Sequence, residues 1–187
     1  MGRQVTLAEA EAGVRAVLLY LGENPDRDGL KDTPARVVRA LAEMTSGCRQ
    51  DPKALLMRRF DVAYDEMVVL RGVRFASLCE HHLLPFTGSI SVGYVPRSRV
   101  VGLSKLARLV DCFAHRLQVQ ERLTSDIAQA IQKHVKPLGV AVVVRAEHQC
   151  MACRGVVKPG AEMVTSAMLG VFRKTAARAE FLRLTDA

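Results

Sequence analysis

Hydrophobic spacing divides the chain into a helical stretch, a stretch of alternation, and a return to mixed patterns. Thr6-Leu7-Ala8-Glu9 has the form of a capping box opening a helix. Val14, Val17, Leu18 and Leu21 then share one helical face, and Gly22 stands where a C-terminal cap belongs. Asn24 to Gly29 carries turn chemistry, and Asp32-Thr33-Pro34 restarts a helix with proline at its favoured first position. Val37, Val38, Leu41 and Met44 are its apolar face, ended by Ser46-Gly47. Asp51-Pro52 repeats the cap-plus-proline signal for a short third helix reaching about Arg59.

From Glu66 onward the spacing changes. Met67 to Leu70 and Val73 to Phe75 read as strand, followed by a loop holding Cys79. Phe86 to Val95 is a strand in which Ile90, Val92 and Tyr94 alternate with Ser89, Ser91 and Gly93. After a turn at Pro96 to Arg99, Ser104 is placed to cap a helix whose stripe is Leu106, Leu109, Val110, Phe113 and Leu117. A second helix is expected from about Glu121 to Lys136, then a buried-type strand from Val140 to Arg145. Met163 to Phe172 supplies a fourth strand and Lys174 to Leu184 a closing helix. Two adjacent helices between two hairpins predict an α+β domain, an antiparallel ββααββ sheet with both helices on one face. A boundary near residue 60 divides the chain into an N-terminal helical arm, 1–60, and a sheet domain, 61–187.

The chain has 187 residues, 49% hydrophobic and 25% charged, an ordinary globular composition. No apolar run approaches the ~20 residues of a membrane helix, and Glu9 and Glu11 precede any apolar stretch, unlike a secretory signal. Five cysteines, an odd number, argue for metal ligands or reduced thiols in the cytoplasm over a disulfide framework. The formal charge of +8 suits an anionic partner. With no Trp and 5% aromatics, base-stacking nucleic-acid platforms are not expected.

Candidate chemistry concentrates in two segments. Cys79-Glu80-His81-His82 places a thiol and an imidazole three residues apart, a spacing that grips one zinc ion, and burying so many ionisable groups without a task is costly. His148-Gln149-Cys150-Met151-Ala152-Cys153 supplies a remote thiol. Cys79, His82 and Cys150 would leave a fourth position open, as catalytic zinc does, while Cys153 could instead close a structural Cys3His site. His81 and His148 have a use only in the first case, as proton carriers. The zinc deaminases of nucleobases are a weaker parallel, since the expected Pro and His of their pattern are missing. Lys105 and Arg108 at a helix start, with Arg154-Gly155, are suited to phosphate. Gln120 and Glu121 could read the amide edge of a purine.

Taken together, Cys79 to His82, Gly102 to Arg108, Gln118 to Thr124 and His148 to Gly155 resemble the GTP cyclohydrolase I family. Asn24 to Leu30, Asp32 to Arg36 and the tail Arg178 to Leu182 fit the same frame, so the likeness runs from about residue 6 to 184. The resemblance implies the tunnelling fold, a decamer of two stacked rings with sites between subunits, and conversion of GTP to 7,8-dihydroneopterin triphosphate and formate. It implies one Zn2+ per subunit on Cys79, His82 and Cys150, with a water attacking C8 of guanine. His148 is then the proton donor, and His81 assists ring opening. Gln120 and Glu121 hold guanine, Lys105, Arg108, Arg154 and Arg36 hold the triphosphate, and Ser104 lies by the ribose. Neither nucleic acid nor membrane is an expected partner. Cys153 departs from the family, which is usually apolar there, and is expected to be a bystander.

Overall fold

The computed structural model describes residues 4–62 and 64–186. They form two compact units, one ending at Thr45 and the other beginning at Ser46. In the first, helix α1 (Leu7–Tyr20) starts at the expected capping box: Thr6 Oγ1 accepts from the Glu9 N–H at 3.2 Å and Glu9 Oε2 accepts from the Thr6 N–H at 2.9 Å. Gly22, at φ +80°, ends it, with Gly22 N–H donating to Leu19 and Glu23 N–H to Leu18, both at 3.0 Å. That left-handed closure satisfies two of the carbonyls a helix end leaves orphaned. Helix α2 (Thr33–Met44) follows, with Pro34 in its first turn.

The second unit opens with a single 3-10 turn (Ser46–Arg49) and α3 (Pro52–Leu56), whose cap Asp51 accepts from the Lys53 N–H at 2.9 Å. Two three-residue strands, β1 (Arg59–Asp61) and β4 (Arg99–Val101), pair antiparallel apart from the main sheet. The main sheet has the order β5-β2-β3-β6-β7. Its long strands are β2 (Val68–Cys79), β3 (Pro85–Val95), β6 (Gly139–His148) and β7 (Glu162–Gly170), each antiparallel to the next. Strand β5 (Leu117–Gln118) adds a two-residue parallel pairing to the end of β2.

Helices α4 (Leu103–Ala114) and α5 (Gln120–Val135) contribute Leu106, Leu109, Val110, Leu123, Ile127 and Ile131 to a core shared with Phe75, Phe86, Ile90 and Tyr94. The α+β arrangement with two helices on one face is therefore the one observed. The Gly139 to Val144 stretch of β6 is uniformly apolar because both faces are covered there. Val140, Val142 and Val144 meet the two-helix core, whereas Ala141 and Val143 meet Phe172 and Phe181 beside α7 (Thr175–Asp186). Fully burying such a side chain is worth roughly 1.5–3 kcal/mol.

Three local expectations are corrected. Ser104 does not cap α4: the cap is Gly102, and Ser104 lies exposed within the first turn. Leu117 leaves the α4 stripe, since the helix stops at Ala114 and Leu117 is 42% exposed in β5. Cys79 is not in a loop but is the last residue of β2.

Strands β2 and β6 both run antiparallel to β3, so their C-terminal ends emerge at the same end of the sheet. Register places Leu78 opposite Pro85 and Phe86 opposite His148. Those two pairings bring the two candidate segments together.

Candidate active site

Between β2 and β3 the chain reverses through a turn closed by its own backbone. Cys79 N–H donates to Leu84 O at 2.9 Å and Leu83 N–H to Cys79 O at 2.8 Å. Leu83 adopts φ +55°, a left-handed conformation unusual for a leucine. Glu80 fastens this turn from outside. Its N–H donates to Gln118 O at 3.0 Å and its carboxylate pairs with Arg122. Arg122 also donates to Gln118 Oε1 at 2.9 Å and Leu117 O at 3.0 Å. The Arg122 guanidinium holds the Glu80 carboxyl below the usual carboxylate range. Periodicity gave no sign of this clamp, which depends on β5 lying beside β2.

The turn presents Cys79, buried, and His82, exposed, while the end of β6 and the short helix α6 (Gln149–Ala152) present Cys150, half-buried. The candidate ligand atoms of Cys79, His82 and Cys150 all lie within 4.8 Å of one another, and Cys79 Sγ is 3.8 Å from His82 Nδ1. Two sulfurs and one imidazole form a donor set suited to zinc. Burial, and then the neighbouring Cys79 thiol, push the Cys150 thiol up, so Cys150 resists ionising unaided. A divalent cation is what would make two adjacent thiolates favourable. Cys153 stands apart, exposed, with its thiol donating to Gln149 O at 2.9 Å.

His81 Nδ1 lies 4.0 Å from Cys79 Sγ, so this second histidine of the turn borders the cluster. His148 stacks on Phe86 with ring centroids 4.6 Å apart and planes 3° from parallel. Burial lowers the His148 pKa, opposed by the Glu121 carboxylate in the first turn of α5. Gln120, which the resemblance puts on the guanine edge, is 1% exposed and its amide is engaged by protein groups. The Arg154 charge draws the Cys150 pKa back down and thus belongs to the same neighbourhood. Lys105 and Arg108 lie at the start of α4 and make no hydrogen bond or ion pair to the cluster among the described residues. Arg36 belongs to the first unit, where it pairs with Asp32 at 3.7 Å. Phe86 and Arg122 were not singled out as site residues from the sequence.

Sheet, helices and cluster together define a tunnelling-fold protein whose three converging donors can hold a metal ion. The chain belongs to the GTP cyclohydrolase I family, whose model matches residues 10–186, and it is an enzyme of that family. It is 56% identical over 185 residues to GTP cyclohydrolase 1 of Mycobacterium avium (strain 104), covering 97% of this chain and 91% of that protein. GTP cyclohydrolase 1 of Mycobacterium ulcerans (strain Agy99) is 57% identical over 178 residues, covering 94% and 88%. That of Pelotomaculum thermopropionicum (strain DSM 13744 / JCM 10971 / SI) is 53% identical over 176 residues, covering 93% and 94%.

Proposed function

We propose that this chain hydrolyses GTP at guanine C8 in a zinc-dependent reaction, releasing formate and rearranging the remainder to 7,8-dihydroneopterin triphosphate. The product would enter pterin and tetrahydrofolate biosynthesis in the cytoplasm. The observation that carries this reading is the convergence of Cys79, His82 and Cys150 within 4.8 Å, with Cys153 bonded elsewhere. Bound by these three, zinc supplies Lewis acidity that brings water addition into the neutral pH range.

The chain's own groups supply the rest. His148, on the face of Phe86, takes a proton from the adding water and gives it to the purine ring as the imidazole opens, and His81, beside Cys79, assists that opening. Glu121, exposed at the start of α5, accepts from guanine N–H groups. Arg154, Lys105, Arg108 and Arg36 hold the triphosphate, with Ser104 near the ribose. Arg36, the Lys105 and Arg108 pair of α4, and Arg154 sit on three separate segments, which fits a site completed by neighbouring copies in a decamer of two stacked rings. The net charge of +8 favours the tetra-anionic substrate.

Incubation with GTP tests the reading. Formate together with a product that fluoresces after oxidation supports it. Ammonia in place of formate would identify a deaminase, and no turnover would leave a structural metal site. Replacing Cys153 with Ala is expected to leave zinc content and formate release within about twofold of wild type, since its thiol serves only a local hydrogen bond. Loss of zinc in that variant would convert the site to the closed, structural kind. Arg122→Ala should weaken zinc retention by about 10-fold, because partners that orient a ligand segment commonly carry 10–100-fold in metal affinity. Competition against a graded chelator measures it, and unchanged retention would show the Glu80 clamp to be dispensable.

A further inference from the structure

The hydrogen-bond directions around Gln120 leave a single consistent assignment. Its Nε2 lies 2.9 Å from Met163 O, 3.2 Å from Val144 O and 3.1 Å from Thr165 Oγ1. Backbone carbonyls only accept, so the amide cannot be turned to put its oxygen there. Thr124 Oγ1 donates to Gln120 O at 2.7 Å, which spends its one hydrogen. Thr165, 2.7 Å from Thr124 Oγ1, must therefore donate to it and keeps a lone pair for the Gln120 amide. Every hydrogen in the network then has a destination. The other amide atom, Oε1, is an acceptor only, and it sits 2.8 Å from His148 Nε2. That ring nitrogen must carry hydrogen.

We propose that Gln120 is a positioning residue for His148, locking the imidazole as the Nε2–H tautomer on the face of Phe86 and leaving Nδ1 as the nitrogen available to the substrate. Gln120 is 1% exposed and Phe86 is fully buried, so the ring is held edge-on by a buried amide and flat by a buried aromatic surface. Which nitrogen is free is set by what the other one bonds, as is usual for functional histidines. The catalytic consequence rests on the role proposed above for His148; the tautomer itself does not. Guanine recognition by Gln120 would need amide groups that this network already uses.

The test is nitrogen solid-state NMR on zinc-loaded protein labelled at histidine, at a pH where the ring is neutral, with His148 assigned by its disappearance in His148→Asn. A protonated Nε2 and unprotonated Nδ1 are expected, and the opposite pattern overturns the inference whatever any variant does. Gln120→Leu should lower kcat for formate release by about 10–100-fold, the range for partners that orient a functional histidine. The KM for GTP should stay within about twofold and zinc content should be unchanged. A variant with normal kcat and a raised KM would instead make Gln120 a guanine contact and overturn the proposal. Wild-type protein releasing no formate would defeat the proposed reaction, while the resonances would still decide the tautomer.

Discussion

Cys150→Ser is expected to strip the protein of zinc and reduce formate release by at least about 1000-fold while leaving it folded. A serine hydroxyl does not ionise near neutral pH, so the substitution removes the anionic donor rather than moving it. The two donors left, Cys79 and exposed His82, lie on one turn and cannot enclose an ion from both sides. Structural zinc on thiolate and imidazole sites is worth on the order of 10 kcal/mol, so losing one of three ligands takes the site below practical occupancy. Metal analysis, a formate assay and circular dichroism on the same preparation make the comparison. A folded, zinc-replete and active Cys150→Ser variant would remove the basis of the metal reading. The contrast with Cys153→Ala is informative because the two thiols are three residues apart and differ only in what they face.

Gly88→Ala should be among the most destabilising single substitutions outside the core side chains. A Cβ there would lie 1.9 Å from Arg145 O and 2.7 Å from Ala146 Cα. Those are backbone atoms of the adjoining strand, which cannot rotate away as a side chain can. Relief requires β3 and β6 to separate where their pairing runs on to Phe86 opposite His148. Overpacking costs typically 1–3 kcal/mol and more when backbone must move, so a loss of about 4 kcal/mol is expected. Urea denaturation should show the midpoint falling accordingly. Activity should drop further than stability alone explains, since His148 moves with its strand. An unchanged midpoint would mean that the two strands approach less closely than described.

Much of this architecture is written in local patterns. The Thr6–Glu9 box, the glycine closure at Gly22 and the alternation of Ile90, Val92 and Tyr94 each depend on neighbours in sequence, and each forms as expected. The metal-ligand spacing in Cys79 to His82 was legible for the same reason. The end of α4 was not. Leu117 follows Phe113 by four residues and satisfies a helical period, yet the chain leaves the helix at His115. There Arg116 donates to Cys112 O at 2.7 Å and Gln118 to Phe113 O at 3.1 Å, side chains replacing the next helical turn. Hydrophobic spacing carries no record of that competition. The strands β1, β4 and β5 are too short for any period to appear, and each exists because a partner is already in place. The engagement of Gln120 with His148 is illegible for a related reason, since it needs α5, β6 and β7 brought to one point.

Cys79 ends β2 and Cys150 follows β6, two strands with β3 between them and no hydrogen bond to each other. An ion held by both cysteines would act as a cross-tie spanning three strands, so its occupancy is thermodynamically linked to the cohesion of that margin of the sheet. Chelation should consequently accelerate amide hydrogen exchange in Cys79 to Leu84 and His148 to Cys153 well before the strand centres respond.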